Sequence, residues 1–579
     1  MTVHVTLCSI VLMSLKNFKK VLTVWKIYAM IITTKEIQNK KKKEIDSMAA
    51  NEKNRIIEEV TNDYLDGLDI EFPPTPETIE HDILTNVNDK FDLVKATTGV
   101  KWGRLNALTN NQISNIMLRL YNIINIKFAG AASDDANAVL CIYKEDGVNA
   151  GLYVRNEREF SNIARSLNPE LSSKDAQEVI ALLRDKAPYK TPCADKDLIP
   201  VKNGIFDYQT KKLMQFDPEF IFTAKSDVNY NEFARNIVIH NDKDGTDWDV
   251  ESWIDELTDD EGIRKLLWQI IGAVVRPNVP WNKSAWFYST KGNNGKGTFC
   301  ELLRNIVGEN AHASLTLDEM SKDFMLAQLI GKTAIITDEN DVGTYIDKSA
   351  NFKAIVTGDV ILINSKYKQP IAYRFKGLTV ECVNEMPRIK DKSGSFYRRQ
   401  MFIPFDKCFT GVERKYIKDV YLKNEEVLEY VLYKVLNTDY YEFDVPQACE
   451  DALDEYREFN DPIAQFWSEI RDEVTWNLLP FKFLYELYKK WFSENNPAGS
   501  LQGKQTFIYD IREVIDKDEE WTTTQKKSKV RTQNYMDAEE PLAYDYDLKE
   551  WQNFARKEKY EGAVRLNPNN SPVPITLCN

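Results

Sequence analysis

The chain has 579 residues, 43% of them hydrophobic and 28% charged, a balance ordinary for a soluble globular protein and long enough for three to four domains. Its 75 lysines and arginines face 89 aspartates and glutamates, so the formal net charge is -14. Nucleic acid can then be bound only through local basic surfaces, against a repelling overall field. Eight cysteines with no CxxC pair and four scattered histidines argue against a zinc site and fit a reducing cytoplasm.

Residues 1–47 are a leader of doubtful status. They carry two apolar patches, Val3 to Leu15 and Val21 to Ile32, interrupted by Lys16, Lys19, Lys20 and Lys26. Neither patch reaches the roughly 18 residues of a membrane span, and the order of a signal peptide is absent. A partly helical extension, a membrane-surface helix and an upstream start all fit. Met48-Ala-Ala-Asn-Glu reads as a native start after the Lys40–Lys43 run. No membrane partner is expected. Residues 48–76 are acidic and end in Phe72-Pro-Pro-Thr-Pro, a tether, and helical periodicity then runs to about 195. The reading for 48–195 is a helical N-terminal domain.

Residues 196–280 read as a hairpin and a helical collar. Apolar and polar residues alternate from Ile199 to Phe216 around a Gln209-Thr210-Lys211 turn. Ile263 to Val275 is an apolar helix stopped by Arg276-Pro277.

From 281 to 410 strands alternate with helices, which predicts a parallel α/β sheet. Ala285 to Tyr288 reads as a buried strand, Lys291 to Gly297 as a glycine-rich loop, and Phe299 to Val307 as a helix. That order suits a phosphate cradle: Gly292, Asn293, Asn294, Gly295, Gly297 and Thr298 line it, and Lys296 adds a point charge. Thr290 replaces the usual first glycine, and Gly297 replaces the usual Ser/Thr, with a hydroxyl only at Thr298. Alone, the stretch also fits an ordinary Gly/Asn loop.

Some forty residues on, the β-rich Thr333 to Thr337 ends in Asp338-Glu339, at the strand terminus where an open sheet presents ligands. Asp338 is the candidate for magnesium, and Glu339 for orienting or deprotonating water. Lys353 to Pro370 contains Thr357-Gly358-Asp359 and leads to a basic hairpin, with Lys366, Tyr367 and Lys368 at its tip. Such residues can neutralise backbone phosphates and pack on sugar or base. Strand Leu378 to Val383 ends in Asn384, whose amide could bond a γ-phosphate or the lytic water. Arg398-Arg399 suits an arginine finger, or a surface ion pair.

Residues 411–460 read as a helical connector and 538–579 as a mixed tail. In 461–537 three helices precede a basic ribbon from Trp521 to Asn534, the order of a winged helix. Gln502 to Ile515 would be its recognition helix, with Lys504, Gln505, Tyr509 and Arg512 as contacts. Lys526, Lys527, Lys529 and Arg531 would form the wing. A protein-interaction winged helix fits the same pattern.

The succession of phosphate loop, Asp-Glu, Lys-x-x-x-Thr-Gly-Asp with a basic hairpin, strand-terminal Asn and Arg-Arg resembles a superfamily 3 helicase. GNNGKGT, TGD, the N-x-x-P at Asn384 and the RRQMFIPF run are similar to the phage/plasmid and poxvirus primase-helicase group. Within it they look most like replication initiator helicases of staphylococcal pathogenicity islands. The resemblance covers about 195–410 well, 460–535 as a fold type, and 48–190 hardly at all.

It implies an α/β, AAA+-like P-loop NTPase core that uses ATP and Mg2+ and assembles as a homo-hexamer. The ring would act on single- and double-stranded DNA, including a mobile-element replication origin, with unwinding expected 3′ to 5′ in a bacterial cytoplasm. It implies Lys296 as the phosphate lysine, Asp338 and Glu339 as the acids, Asn384 as the sensor, and Arg398 or Arg399 as the finger. Lys366, Tyr367 and Lys368 become channel contacts. Thr298 is then the choice for the metal hydroxyl. A primase catalytic domain is not expected, because Asp69, Glu71 and distant His81 are too few, so a separate primase or other replication proteins become candidate partners. The alternative is an origin-binding protein whose nucleotide site controls assembly without unwinding.

Overall fold

The computed structural model describes residues 40, 48, 50–289, 292–322, 324–340, 345–346, 348–365, 368–389, 391–495, 501–532, 535–536, 538–552 and 559–566. They form two compact units. One holds the residues up to Lys127 and Ala138–Thr191; the other holds Phe128–Asn137 and the chain from Pro192 onward.

The first unit is more than helical. Helix Pro76–Thr98 is opened by Thr75 and a proline in its first turn, and Asn110–Leu120 by a Thr109/Gln112 capping box. These two, with Glu157–Leu167 and Ser173–Lys186, share a core (Ile83, Val87, Ile113, Phe160, Ile180) with a sheet absent from the sequence reading. Its strands run in the order Tyr153–Val154, Val139–Tyr143, Ile123–Ile126, Tyr189–Lys190. Ile123–Ile126 is buried throughout, so it shows no alternation and merges with the helical run before it.

The second unit begins with a three-stranded meander, Leu198–Val201, Gly204–Asp207 and Lys212–Met214. The Gln209-Thr210-Lys211 turn lies between its last two strands, and a second turn at Lys202-Asn203 joins the first pair. Helix Glu261–Val274, capped by Asp260, packs against helix Glu425–Asn437 and supplies Leu266, Leu267, Ile270 and Ile271 to the main core.

That core also holds the sheet that carries the site. Its strands are β1 (Ser284–Tyr288), β2 (His312–Ala313), β3 (Ala334–Thr337), β4 (Leu378–Val383) and β5 (Gln400–Pro404). They lie in the order β2-β3-β4-β1-β5 and every neighbouring pair is parallel. Apolar runs buried on both faces, such as Ala285-Trp286-Phe287 and Ala334-Ile335-Ile336, are what a covered parallel sheet requires. Helix α1 (Lys296–Val307) follows β1 and buries Phe299, Leu302, Leu303 and Ile306.

At the C-terminal end, helices Pro462–Ile470, Phe481–Asn495 and Lys504–Ile515 enclose an aromatic core of Trp467, Trp476, Trp491 and Trp521. The accompanying antiparallel sheet takes its central strand, Gly562–Arg565, from the stretch read as a tail and pairs it with Leu478–Pro480 and Trp521–Thr523. The ribbon expected within 521–534 is instead completed by Lys559–Tyr560 against Val530–Arg531. The partner strand lies beyond two short helices, Pro541–Asp545 and Lys549–Gln552, so local pattern does not reveal it. Among the described residues no helix is long and apolar enough to cross a membrane.

Candidate nucleotide and nucleic-acid site

Because β1, β3 and β4 are parallel and adjacent in register, their C-terminal ends bring the loop, Asp338 and Asn384 to one edge of the sheet. The loop turns into α1 through Gly295 at φ +88°, where a Cβ would lie 2.6 Å from Leu257 Cδ2. Only glycine fits there. Asn293 is also left-handed, at φ +52°; its carbonyl accepts from Phe409 N at 2.7 Å, and its amide donates to Glu413 Oε1 at 3.1 Å. The loop is thus clamped from the far side by residues beyond β5.

Lys296 is 5% exposed, and its ammonium donates to Asn384 Oδ1 at 2.8 Å, Val383 O at 3.3 Å and Ser289 O at 3.4 Å. All three acceptors are neutral, and among the described residues no carboxylate pairs with it. Burial holds the lysine below its usual pKa. A buried ammonium without a counter-charge is costly, so the position favours an arriving anion. Polyphosphate fits that demand.

Asp338 and Glu339 are exposed at the end of β3. Asp338 is paired at 2.7 Å with Arg304 of α1, a residue that the sequence reading missed. Arg304 sits two turns beyond Lys296, and that spacing was the available signal. Asn340, also missed, is buried and donates to Glu381 Oε2 at 2.8 Å and to Cys382 O at 3.1 Å, pinning the acidic turn to β4. Burial pushes the Glu381 carboxyl up to about 8.

Thr298 is not beside Asp338. On α1, Cys300 and Arg304 face the aspartate, and Thr298 lies roughly 140° around the helix from that direction. It faces instead a cavity of about 370 Å³ beside the loop, lined also by Trp253, Leu257, Asn293, Phe409, Val412 and Ile417. The structure thus places Thr298 on the cavity side of α1. Gly297 has no side chain to offer, and a Cβ added there would meet only Lys418 Nζ, at 4.0 Å.

Lys353, Thr357, Gly358 and Asp359 build a turn. Lys353 Nζ bonds Asp391 at 2.6 Å, Thr357 Oγ1 bonds Asp359 at 2.6 Å, and Gly358 caps helix Ala350–Thr357 at φ +66°. From it rises an antiparallel hairpin, Val360–Ser365 with Lys368–Arg374, standing apart from the main sheet. Val360 and Leu362 are exposed on it, and Arg374 anchors its base to the carbonyls of Ala129 and Gly358. Lys366 and Tyr367 lie outside the described residues; Lys368 is placed in its strand, with its side chain outside the description.

Arg398 and Arg399 precede β5, which runs parallel to β1 with Gln400 opposite Ser284. They stand at the opposite end of the sheet from the loop, roughly 15 Å away along the strand. Arg399 turns back onto Ser395 O, whereas Arg398 is exposed. Lys504, Lys526, Lys527, Lys529 and Arg531 of the terminal unit are exposed as a DNA surface requires, and so are Gln505 and Tyr509. Arg512 is not. It bonds Thr524 O and Glu561 Oε2 and lies 4.3 Å from the Phe481 ring, so its guanidinium is spent on the fold.

Three family models match successive parts of the chain: "D5 N terminal like" over 19–259, "Family of unknown function (DUF5906)" over 287–399, and "Poxvirus D5 protein-like" over 458–543. Together they support a D5-like relationship. The chain is 21% identical over 391 residues to "Putative helicase 121R" of Invertebrate iridescent virus 3, matching 59% of this chain and 40% of that protein's length. Among solved structures, an apo form of the NrS-1 C terminal region is similar at 13% identity and a TM-score of 0.36, over 69% of this chain and 86% of that one. A JCV Helicase structure is similar at 13% identity and a TM-score of 0.22, over 36% and 58% of the respective chains.

Proposed function

We propose that this chain is an ATP-dependent DNA helicase of the D5-like primase-helicase kind, with an AAA+-like motor and a winged-helix terminal unit. The observation that carries the reading is the buried Lys296, which pairs with no carboxylate among the described residues and stands at one sheet edge with Asp338 and Asn384. The helicase-related relatives agree with it, and the narrower likeness to staphylococcal island initiators rests on the motifs alone.

In this reading the loop amides and Lys296 bind the triphosphate, and its adenosine occupies the cavity beside Trp253, Leu257 and Phe409. Asp338 would hold the Mg2+ that accompanies the nucleotide, which would supply charge neutralisation at the phosphates. Glu339 orients and deprotonates the attacking water. Asn384, released from Lys296, senses the terminal phosphate. Arg398 acts on a neighbouring subunit's site, because the sheet's length separates it from its own, and a homo-hexameric ring is the assembly that such sharing suits. The hairpin at 360–374 contacts the DNA strand in the ring, with movement 3′ to 5′. Lys504 and the lysines at 526–529 grip duplex DNA at an origin.

The test measures ATP hydrolysis with and without single-stranded DNA, together with strand separation, for the wild type and Lys296→Ala. Absence of turnover in the wild type overturns the reading. A second reading, an origin binder whose nucleotide site governs assembly alone, is favoured by the Arg304–Asp338 pair and the missing hydroxyl at Gly297. It requires nucleotide-dependent assembly without unwinding.

A further inference from the structure

Cys300 and Cys382 are 82 residues apart in the chain, yet their sulfurs meet at 3.3 Å. Cys300 lies on α1 one turn beyond Lys296, and Cys382 lies on β4 two residues before Asn384; both are buried. An oxygen of Asp338 completes a set in which the two sulfurs and the oxygen all lie within 4.8 Å of one another. The geometry points to a Cys300–Cys382–Asp338 site for a thiophilic divalent cation of the Zn2+ or Cd2+ type, a site that shares Asp338 with the proposed Mg2+ position.

Two thiolates exclude Mg2+ and Ca2+, which take oxygen ligands, and select borderline or soft d10 ions. Tetrahedral Zn–S bonds of about 2.3 Å set their sulfurs about 3.8 Å apart, so the thiols need open by only about half an ångström. Charge also closes. Two thiolates, the Asp338 carboxylate and the neighbouring Arg304 guanidinium sum to -2, which a divalent ion neutralises. On binding, each thiol loses its proton to the solvent and two metal–sulfur bonds form, with no change of oxidation state. The exposed carboxylate of Asp338 gives the ion its entry, and water takes the remaining position. Binding fastens α1 to β4 and removes Asp338 from nucleotide work. This last consequence rests on the proposed ATPase, whereas the binding itself does not.

The test uses the full chain, reduced and freed of reductant, titrated with Cd2+ while thiolate-to-cadmium charge-transfer absorbance is recorded. Wild type and the exposed-thiol control Cys408→Ser are expected to show the same tight, one-equivalent step. Cys300→Ser and Cys382→Ser are expected to lose it, and Asp338→Asn to weaken it by at least about tenfold. Cys300→Ala serves where serine disturbs the apolar site. Retention of the step in both cysteine variants, or its absence in the wild type, overturns the site whatever the chain does with ATP. If the chain hydrolyses ATP, the same Zn2+ equivalent is expected to halt turnover in the wild type and not in Cys382→Ser; equal inhibition of both overturns the link to Asp338.

Discussion

Arg304 holds Asp338 in an ion pair of 2.7 Å along the face of α1 that also carries Lys296 and Cys300. The candidate magnesium carboxylate is therefore engaged by a protein cation, and a metal must compete for it. Arg304 is mostly shielded and Asp338 nearly half exposed, so the pair contributes about 1 kcal/mol at most. Arg304→Ala is expected to lower the Mg2+ concentration for half-maximal nucleotide binding by about two- to fivefold, measured with a fluorescent ATP analogue. A higher Mg2+ requirement would show that Arg304 positions Asp338 for the metal.

Lys296→Met tests the uncompensated ammonium from the opposite direction. Nucleotide affinity is expected to fall by at least about a hundredfold, while the nucleotide-free fold gains about 1–2 kcal/mol, seen as a higher Tm. A loss on both counts would mean that the three neutral acceptors already satisfy the charge.

Glu381 provides the pH dependence. Its folded carboxyl titrates near 8 against an ordinary 4.5, so the native chain holds the extra proton between those values. Its contribution is intact below about pH 4.5 and is lost progressively as pH rises towards 8. Glu381→Gln is expected to raise stability by about 3 kcal/mol at pH 7 and to flatten its fall between pH 5 and 8, read by denaturant titration. Parallel profiles for the two proteins would rule out a protonated Glu381.

Arg398→Ala is expected to keep nucleotide affinity and to lose about a thousandfold in turnover, whereas Arg399→Ala, whose side chain bonds Ser395, mainly lowers Tm. Mixing Arg398→Ala with Lys296→Ala subunits is expected to recover part of the ATPase rate. Failure of every mixture removes the shared-site assignment.

In the terminal unit, Arg512→Ala is expected to destabilise the fold by about 2–4 kcal/mol through its lost bonds to Thr524 and Glu561. Lys526→Ala, Lys527→Ala and Lys529→Ala together are expected to leave Tm unchanged and to reduce the salt dependence of DNA binding by about three phosphate contacts.

The glycine-rich loop, the strand-terminal acids and Asn384 were legible as candidates because each is a local signature: glycines where left-handed backbone is needed, or polar residues closing an apolar strand. What stayed hidden was set by contacts between distant segments. Arg304 looks like any helix charge until β3 brings Asp338 beside it. Arg512 reads as a recognition residue until Glu561 arrives from far down the chain. Cysteine spacing spoke against zinc, yet folding made neighbours of Cys300 and Cys382. The N-terminal sheet was missed because its strands are short and its two central ones, Ile123–Ile126 and Val139–Tyr143, are almost wholly buried, which removes the alternation that marks a strand.

The acceptors around Lys296 bear on what happens when a nucleotide leaves. Asn384, Val383 and Ser289 give the lysine hydrogen-bond partners, so in the proposed cycle departure of the phosphates would exchange a counter-charge for three neutral acceptors. In the proposed ATPase, α1 would stay anchored at its glycine turn while Lys296 changes partners.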